Sequence, residues 1–142
     1  MYKNARNYFL IMIFSLLLTS CSLLSKSTAD ELDGTHWNLL FIRKSTPLPE
    51  STITITFSNG EVRGNSGCNT FLGEYQIRED EISFTRLAAT EIACLGPEGI
   101  MQQEQQFLLS LSEIVSYSIE GDRLTLKKTE QDQLTFERVM DR

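Results

Sequence analysis

Apolar and polar residues alternate with a period of two along much of the chain after residue 35, and this period is typical of β-strands. It is clearest at Ile53, Ile55 and Phe57, which are separated by threonines. Weaker alternation recurs near residues 71–77, 82–84, 115–119, 124–126 and 134–136. Because no regular exchange of strand and helix appears, the sheet should be antiparallel. We predict a mainly β (α+β) fold, with about seven or eight short strands in a partly open, barrel-like sheet and one helix.

Two polar segments predict tight turns between these strands. Asn59-Gly60 is typical of a two-residue hairpin turn, because both residues tolerate positive φ. The charged run at 78–81 separates the strand patterns at 71–77 and 82–84. The pattern therefore predicts two antiparallel hairpins in the first half of the domain.

One segment, from Glu98 to about Ser112, departs from the alternation and predicts a helix. Its apolar residues recur every three or four positions and so share one face. Pro97 and Glu98 suit a helix N-terminus, since proline is tolerated in the first turn and an acidic side chain complements the helix dipole. We expect the other face to be solvated, since it carries most of the glutamines at 102, 103, 105 and 106.

The first 20 residues have the pattern of a secretory signal. Lys3 and Arg6 precede an apolar run from Tyr8 to Leu18, which is too short to cross a bilayer as a helix. The residues that follow, at 18–21, resemble a bacterial lipobox ending in Cys21. This resemblance predicts that Cys21 is lipidated and becomes the mature N-terminus. The alternative is a plain signal peptide with an incidental cysteine.

We therefore predict a lipoprotein signal peptide at 1–20, a flexible tether at 21–33 and one domain at 34–140. The tether is rich in Ser, Thr and acidic residues and has no apolar period. Lipid on Cys21 would hold the protein at a membrane. Ser22 stands where an Asp favours inner-membrane retention in lipoproteins of this type. The resemblance thus implies the outer membrane, with the domain facing the periplasm.

The charge balance narrows the class of partner. The chain has 13 basic and 19 acidic side chains, a net charge of -6 and an isoelectric point near 4.8. Loss of Lys3 and Arg6 with the signal makes the mature protein more acidic. We expect no nucleic-acid partner, because a phosphate backbone would be repelled.

Cys68 and Cys94 are the cysteines that remain if Cys21 carries lipid. In an exported protein, a pair at this separation most often forms a disulfide, which stabilises the fold by roughly 3 kcal/mol. A free reactive thiol is the alternative. No metal site is predicted, because His36 is the single histidine and the chain has no CxxC spacing. We expect no cofactor.

The glycine-rich segment at 64–69 superficially resembles the nucleophile elbow of hydrolases. That motif needs a glycine where this chain has Cys68, and a histidine later in the chain, whereas none follows His36. We predict instead a structural loop in which glycines allow a sharp turn and polar side chains bond the backbone. No catalytic residue is predicted, and we expect that the protein is not an enzyme. The predicted loop residues are Gly64, Asn65, Ser66, Gly67 and Asn69.

Together these motifs resemble the META domain, also called the HslJ-like domain, over residues 33–139. The most specific part is the Gly-Cys-Asn block at 64–69 followed by the Thr-x-x-x-Cys block at 90–94. Trp37 in the first strand and a helix holding Glu104 and Phe107 add to the similarity. The resemblance implies a compact antiparallel β domain with one helix, often on bacterial lipoproteins. It also implies links to heat shock and novobiocin resistance and, in a distant branch, to secretion or motility.

We expect a membrane-anchored, non-enzymatic envelope lipoprotein. Its domain would bind or support an envelope protein of unknown identity in stress tolerance. The alternative is a carrier that encloses a small apolar ligand in the barrel, since partly open barrels can hold one.

Overall fold

The computed structural model describes residues 29–140. The predicted signal peptide at 1–20, the predicted lipidation residue Cys21 and most of the predicted tether lie outside this range. Within it, no helix combines the length and apolar character needed to cross a membrane.

Eight antiparallel strands form a closed barrel in which each strand pairs with the next and the last pairs with the first. The predicted mainly β antiparallel fold is confirmed, and the barrel is closed where we expected it partly open. Because the first and last strands share a ladder, neither is left as an edge. The strands are β1 Thr35–Ile42, β2 Ile53–Ser58, β3 Glu61–Ser66, β4 Thr70–Arg78, β5 Glu81–Ala89, β6 Ser116–Glu120, β7 Arg123–Lys127 and β8 Gln133–Arg138; the helices are α1 Ala29–Leu32 and α2 Ile100–Ser112.

The strand pairing in the barrel is shortest between β5 and β6. One residue pair, Glu81 with Ser116, joins the two strands, and the Ile82 N–H donates to the Val115 carbonyl at 3.1 Å. Helix α2 lies in the connection between these strands and contacts β3, β5 and β8. Since those strands lie on different sides of the barrel, α2 covers one end of it and does not extend the wall.

One apolar core joins the strands and α2. The largest side chains that are fully buried include Trp37, Phe57, Phe107 and Phe136. The Phe107 ring of α2 meets the Phe71 ring of β4 edge-on, with centroids 5.6 Å apart. Burial of each such side chain contributes about 1.5–3 kcal/mol. Since all the elements share this core, residues 29–140 fold as one unit.

Strand β1 contains a register shift that changes which side chains face the core. Its pairing with β8 shifts between Leu39 and Phe41. Strict alternation would bury Phe41 along with Trp37 and Leu39, but Phe41 is 36% exposed. Ile42 packs against the core in its place. The shift depends on the partner strand, so alternation within β1 alone does not predict it.

Glycine geometry decides two local features. Asn59 and Gly60 have φ of 53° and 81°, which confirms the predicted hairpin turn. Helix α2 begins at Ile100, later than the predicted Glu98, because Gly99 takes a left-handed φ of 90° immediately before it.

The ordered domain begins before the predicted boundary at residue 34. Leu32 is fully buried in the core, although residues 21–33 were expected to form a tether. The Gly34 N–H donates to the Phe57 carbonyl at 2.9 Å, and the Asn59 N–H donates to the Asp33 carboxylate at 2.6 Å. The chain therefore enters at the barrel end that carries the β2–β3 turn. The β1–β2 loop and the β3–β4 turn lie at the other end.

Candidate functional site

The predicted loop needs correction at Gly64, Asn65 and Ser66, which belong to strand β3. Gly64 pairs with both neighbouring strands. A Cβ at Gly64 would lie 1.9 Å from the carbonyl oxygen of Thr54 on β2. Glycine is therefore required here by close approach of two strands and not by a turn.

The turn itself starts at Gly67, which has a φ of 109°. The Ser66 N–H donates to the Asn69 carbonyl at 2.7 Å across the turn. The Gly67 N–H donates to the side-chain oxygen of Asn65 at 2.7 Å. These bonds satisfy the backbone of a turn that leaves the ladder between β3 and β4.

Glu104 of α2 places its carboxylate against this turn and is only 6% exposed. Glu104 Oε2 accepts from the Asn69 backbone N–H at 2.7 Å, and Oε1 accepts from the Asn69 amide at 2.8 Å. The Ser66 hydroxyl lies 2.6 Å from Oε2 and 2.7 Å from the Asn69 carbonyl oxygen, so two acceptors share its one hydrogen. One carboxylate thus joins the helix to the β3–β4 turn.

Two opposing effects set the protonation of Glu104. Burial raises its pKa, because desolvation disfavours the charged form. Hydrogen bonds from Ser66, from Asn69 and from the Cys68 backbone favour the carboxylate and outweigh burial, so the pKa lies below the ordinary value of 4.5. Glu104 is consequently ionised at neutral pH and holds no proton for general acid catalysis.

Asn69 extends the same network to the segment that follows β5. Its Oδ1 accepts from the Thr90 hydroxyl at 2.8 Å and from the Ile92 N–H at 2.9 Å. Its Nδ2 donates to the Ile92 carbonyl at 3.2 Å as well as to Glu104. We call the β3–β4 turn, the segment 90–94 and Glu104 the Glu104 junction.

A disulfide between Cys68 and Cys94 closes the junction covalently, with the two Cα atoms 6.0 Å apart. This confirms the predicted pairing over the alternative of a free thiol. Met101 of α2 places its sulfur 3.5 Å from Cys68 Sγ. The covalent and hydrogen-bonded links therefore join the same three segments.

The junction is built to hold segments together and offers no reactive group to a substrate. Ser66 is fully buried, so no substrate reaches its hydroxyl. His36 lies on β1, where its Nδ1 is 2.8 Å from the Thr56 hydroxyl. Among residues 29–140, no three His, Cys, Asp or Glu side chains are grouped so that they could hold a metal ion.

Gln103 is a structural residue that the sequence pattern assigned to the solvated face. It is 8% exposed. Its Oε1 accepts from the Leu48 N–H at 2.6 Å, and its Nε2 donates to the Ser51 hydroxyl at 2.7 Å. Gln103 therefore fixes the β1–β2 loop to α2. The sequence did contain a signal for this burial. Gln103 and Glu104 follow the buried Ile100 by three and four positions and so share its face of the helix.

A surface groove borders α2 on the side of the β1–β2 loop. Its walls are α2 and the β1–β2 loop, residues 43–52, and it offers about 360 Å³. We call it the helix groove. It is lined mainly by uncharged polar and aliphatic side chains, among them Ser45, Leu48, Gln102, Gln106, Leu109 and Ser110.

A family model for the META domain matches residues 30–141. The chain belongs to the META domain family. The match spans the whole barrel and the predicted resemblance over 33–139. The family is stress-related, and in this META domain the Glu104 junction and the disulfide stabilise the end of the barrel that α2 covers.

Solved structures share the fold of this META domain. The NMR structure of a protein from Burkholderia xenovorans is 26% identical, with a TM-score of 0.64, over 80% of this chain and 88% of that one. A second NMR structure is 22% identical, with a TM-score of 0.63, over 77% of this chain and 92% of that one. A DUF4847 family protein from Bacteroides vulgatus, 12% identical over 78% of this chain and 96% of its own, has a TM-score of 0.53. No curated protein matches this chain.

Proposed function

We propose that this META domain protein is a lipid-anchored, non-enzymatic component of the bacterial envelope. Lipid on Cys21 would hold it in the outer membrane with the domain facing the periplasm. There the domain would bind another envelope component in stress tolerance, such as survival of heat or novobiocin. The family match supports the stress role at its coarse level.

The observation that carries the proposal is that the Glu104 junction is satisfied from within. The Glu104 carboxylate and the Asn69 side chain form their hydrogen bonds with other groups of the same domain. A catalytic site needs groups left available to a substrate, and the most elaborate polar cluster of the described domain leaves none. This favours a rigid module that acts through its surface.

The disulfide supports the proposed compartment. Cys68 and Cys94 pair in the structure, and such bonds persist in oxidising compartments such as the periplasm. The chain enters the barrel beside Asn59, so a tether from Cys21 would join the domain at the end opposite α2.

The alternative proposal, a carrier of a small apolar ligand, needs space within the barrel. Trp37, Phe57, Phe107 and Phe136 are fully buried there, and filled interiors of this kind favour surface binding. Native mass spectrometry of the exported protein tests the alternative. A bound apolar molecule of constant mass would favour the carrier, whereas a bare protein would favour surface binding.

A comparison of the full chain with a Cys21→Ser variant, in cells that lack the gene, tests anchoring and stress tolerance together. We expect wild-type protein in the outer membrane fraction, with acyl mass on Cys21, and better survival of heat or novobiocin than with the variant. Wild-type protein without acyl groups would refute the anchor. Equal survival with wild type, with the variant and without the gene would refute the stress role.

A further inference from the structure

The helix groove lies at the barrel end opposite the entry of the chain, so attachment through the tether would leave the groove uncovered. Its lining extends from Gln102 in α2 to Glu113, the residue that follows the helix, a distance of about 16 Å. Five residues of extended polypeptide cover the same length at about 3.3 Å each. The groove volume of about 360 Å³ is at the lower end for ligand sites, so an occupant would keep one side in solvent.

The charged side chains that line the groove already have partners. Arg43 Nε lies 3.1 Å from Asp132 Oδ1, and Arg43 Nη2 donates to Asp132 Oδ2 at 3.3 Å. Glu113 Oε2 lies 2.8 Å from Lys128 Nζ. A charged ligand would have to compete with these pairs, so the groove suits an uncharged one.

Gln102 and Gln106 supply the uncharged recognition groups. Both are exposed, line the groove and make no side-chain hydrogen bond within the described part of the chain. A glutamine amide has both donors and an acceptor, so it can bond the N–H and the carbonyl of an extended peptide. Four helical residues advance about 6 Å, and alternate residues of an extended chain are about 6.8 Å apart. The two amides therefore match two alternate residues on one edge of a strand.

The remaining lining suits the side chains of such a strand. Leu48 on the loop and Leu109 on the helix offer apolar contacts from opposite walls. Gln103 ties the loop to the helix through Leu48 and Ser51, so the wall is ordered before a ligand arrives and binding costs less entropy. Among the described residues, none with an aromatic side chain lines the groove, although aromatic faces are the usual platform for flat ring ligands.

We propose that the helix groove binds an extended, uncharged polypeptide segment of an envelope protein. Gln102 and Gln106 would bond its backbone, while Leu48 and Leu109 would contact its apolar side chains. The inference rests on the proposed function and names the chemistry of the envelope component that the domain binds.

A nuclear magnetic resonance titration of the oxidised, ¹⁵N-labelled chain from residue 21 to residue 142 tests the proposal. This chain contains the whole barrel, which folds as one unit. The probe is an acetylated, amidated pentapeptide of alternating serine and leucine. We expect saturable shifts of the side-chain amide signals of Gln102 and Gln106.

Matched variants locate the binding. Gln102→Ala or Gln106→Ala should weaken the peptide affinity about three- to tenfold, since each removes hydrogen bonds to the backbone. Gln105→Ala should change it less than about twofold, because Gln105 is an exposed glutamine of the same helix outside the groove.

A second probe separates backbone recognition from apolar association. The same peptide with its backbone nitrogens methylated lacks N–H donors and should bind at least about threefold more weakly. Equal binding of both peptides, or no shift with either, would overturn the proposal. Shifts of the same amides with a disaccharide of N-acetylglucosamine and none with the peptide would also overturn it. These peptide-binding results do not depend on the anchoring and survival assays. The proposed function can therefore be refuted or supported separately from this inference.

Discussion

The two faces of α2 carry similar polar residues but use them differently. Gln103, at the base of the helix groove, and Glu104, against the β3–β4 turn, are nearly inaccessible and bond other segments of the domain. Gln102 and Gln106 face the helix groove, are exposed and have no side-chain partner within residues 29–140. Residue type is thus a poor guide to role on this helix, and burial decides which polar groups hold the fold.

The physical reason is that water can replace the hydrogen-bond partner of an exposed group but not that of a buried group. An exposed amide that loses its partner regains hydrogen bonds from solvent, whereas a buried donor without a partner bears the full cost of desolvation. Substitutions on the buried face should therefore affect stability, and substitutions on the groove face should affect binding. Three measurements of stability probe this contrast.

The largest effect is expected from Glu104→Ala. Loss of the carboxylate leaves the Asn69 N–H and amide without their buried acceptor, so the free energy of unfolding should fall by about 3 kcal/mol. Glu113→Ala is the matched control, because Glu113 is 40% exposed and paired with Lys128; it should cost less than about 1 kcal/mol. Urea unfolding of both oxidised variants measures the difference. Similar losses for the two variants would contradict the contrast between the faces.

A smaller effect is expected from pH. The pKa of Glu104 in the folded state lies below its ordinary value of 4.5, so its ionisation stabilises the fold above that pH. This contribution should be lost as the pH falls below 4.5 through the pKa of the folded state. Because other carboxyl groups also titrate, the measurement is the difference in unfolding free energy between wild type and Glu104→Gln. The difference should shrink on acidification, and a pH-independent difference would show that ionisation of Glu104 contributes nothing.

The smallest effect is expected from the neighbouring glutamines. Gln103→Ala removes two hydrogen bonds that hold the β1–β2 loop and should lower the unfolding free energy by about 1–2 kcal/mol. Gln102→Ala should stay within about 0.5 kcal/mol. Thermal unfolding of the two variants, one residue apart, makes the comparison. Equal destabilisation would mean that the groove face also supports the fold.

Several elements of the fold could be predicted because their causes are local. Alternation at Ile53, Ile55 and Phe57 predicts β2, and the Asn59-Gly60 pair predicts the turn that follows it. The disulfide could be predicted because we expected export and lipid on Cys21, and two cysteines that remain in an exported protein usually pair.

Other features of the site could not be predicted because they depend on a partner segment distant in sequence. Gly64 was assigned to a loop, yet glycine is needed there because β2 approaches within the space of a Cβ. Gln103 was assigned to solvent, yet it bonds residues of the β1–β2 loop. The residue pattern within β3 does not show how closely β2 approaches, and the pattern within α2 does not show that the β1–β2 loop packs against it.

The class of fold and the family follow from the sequence, because periodicity, turn chemistry and characteristic blocks are properties of short segments. The sequence also favoured the pairing of Cys68 with Cys94, which the structure then showed. Only the tertiary structure shows that the barrel closes through β8 and β1, that Glu104 is ionised within a buried network, and that two glutamines of α2 are exposed beside a groove. These depend on which distant segments meet and on how much water they exclude. Burial then separates side chains that hold the fold from side chains that can bind a partner.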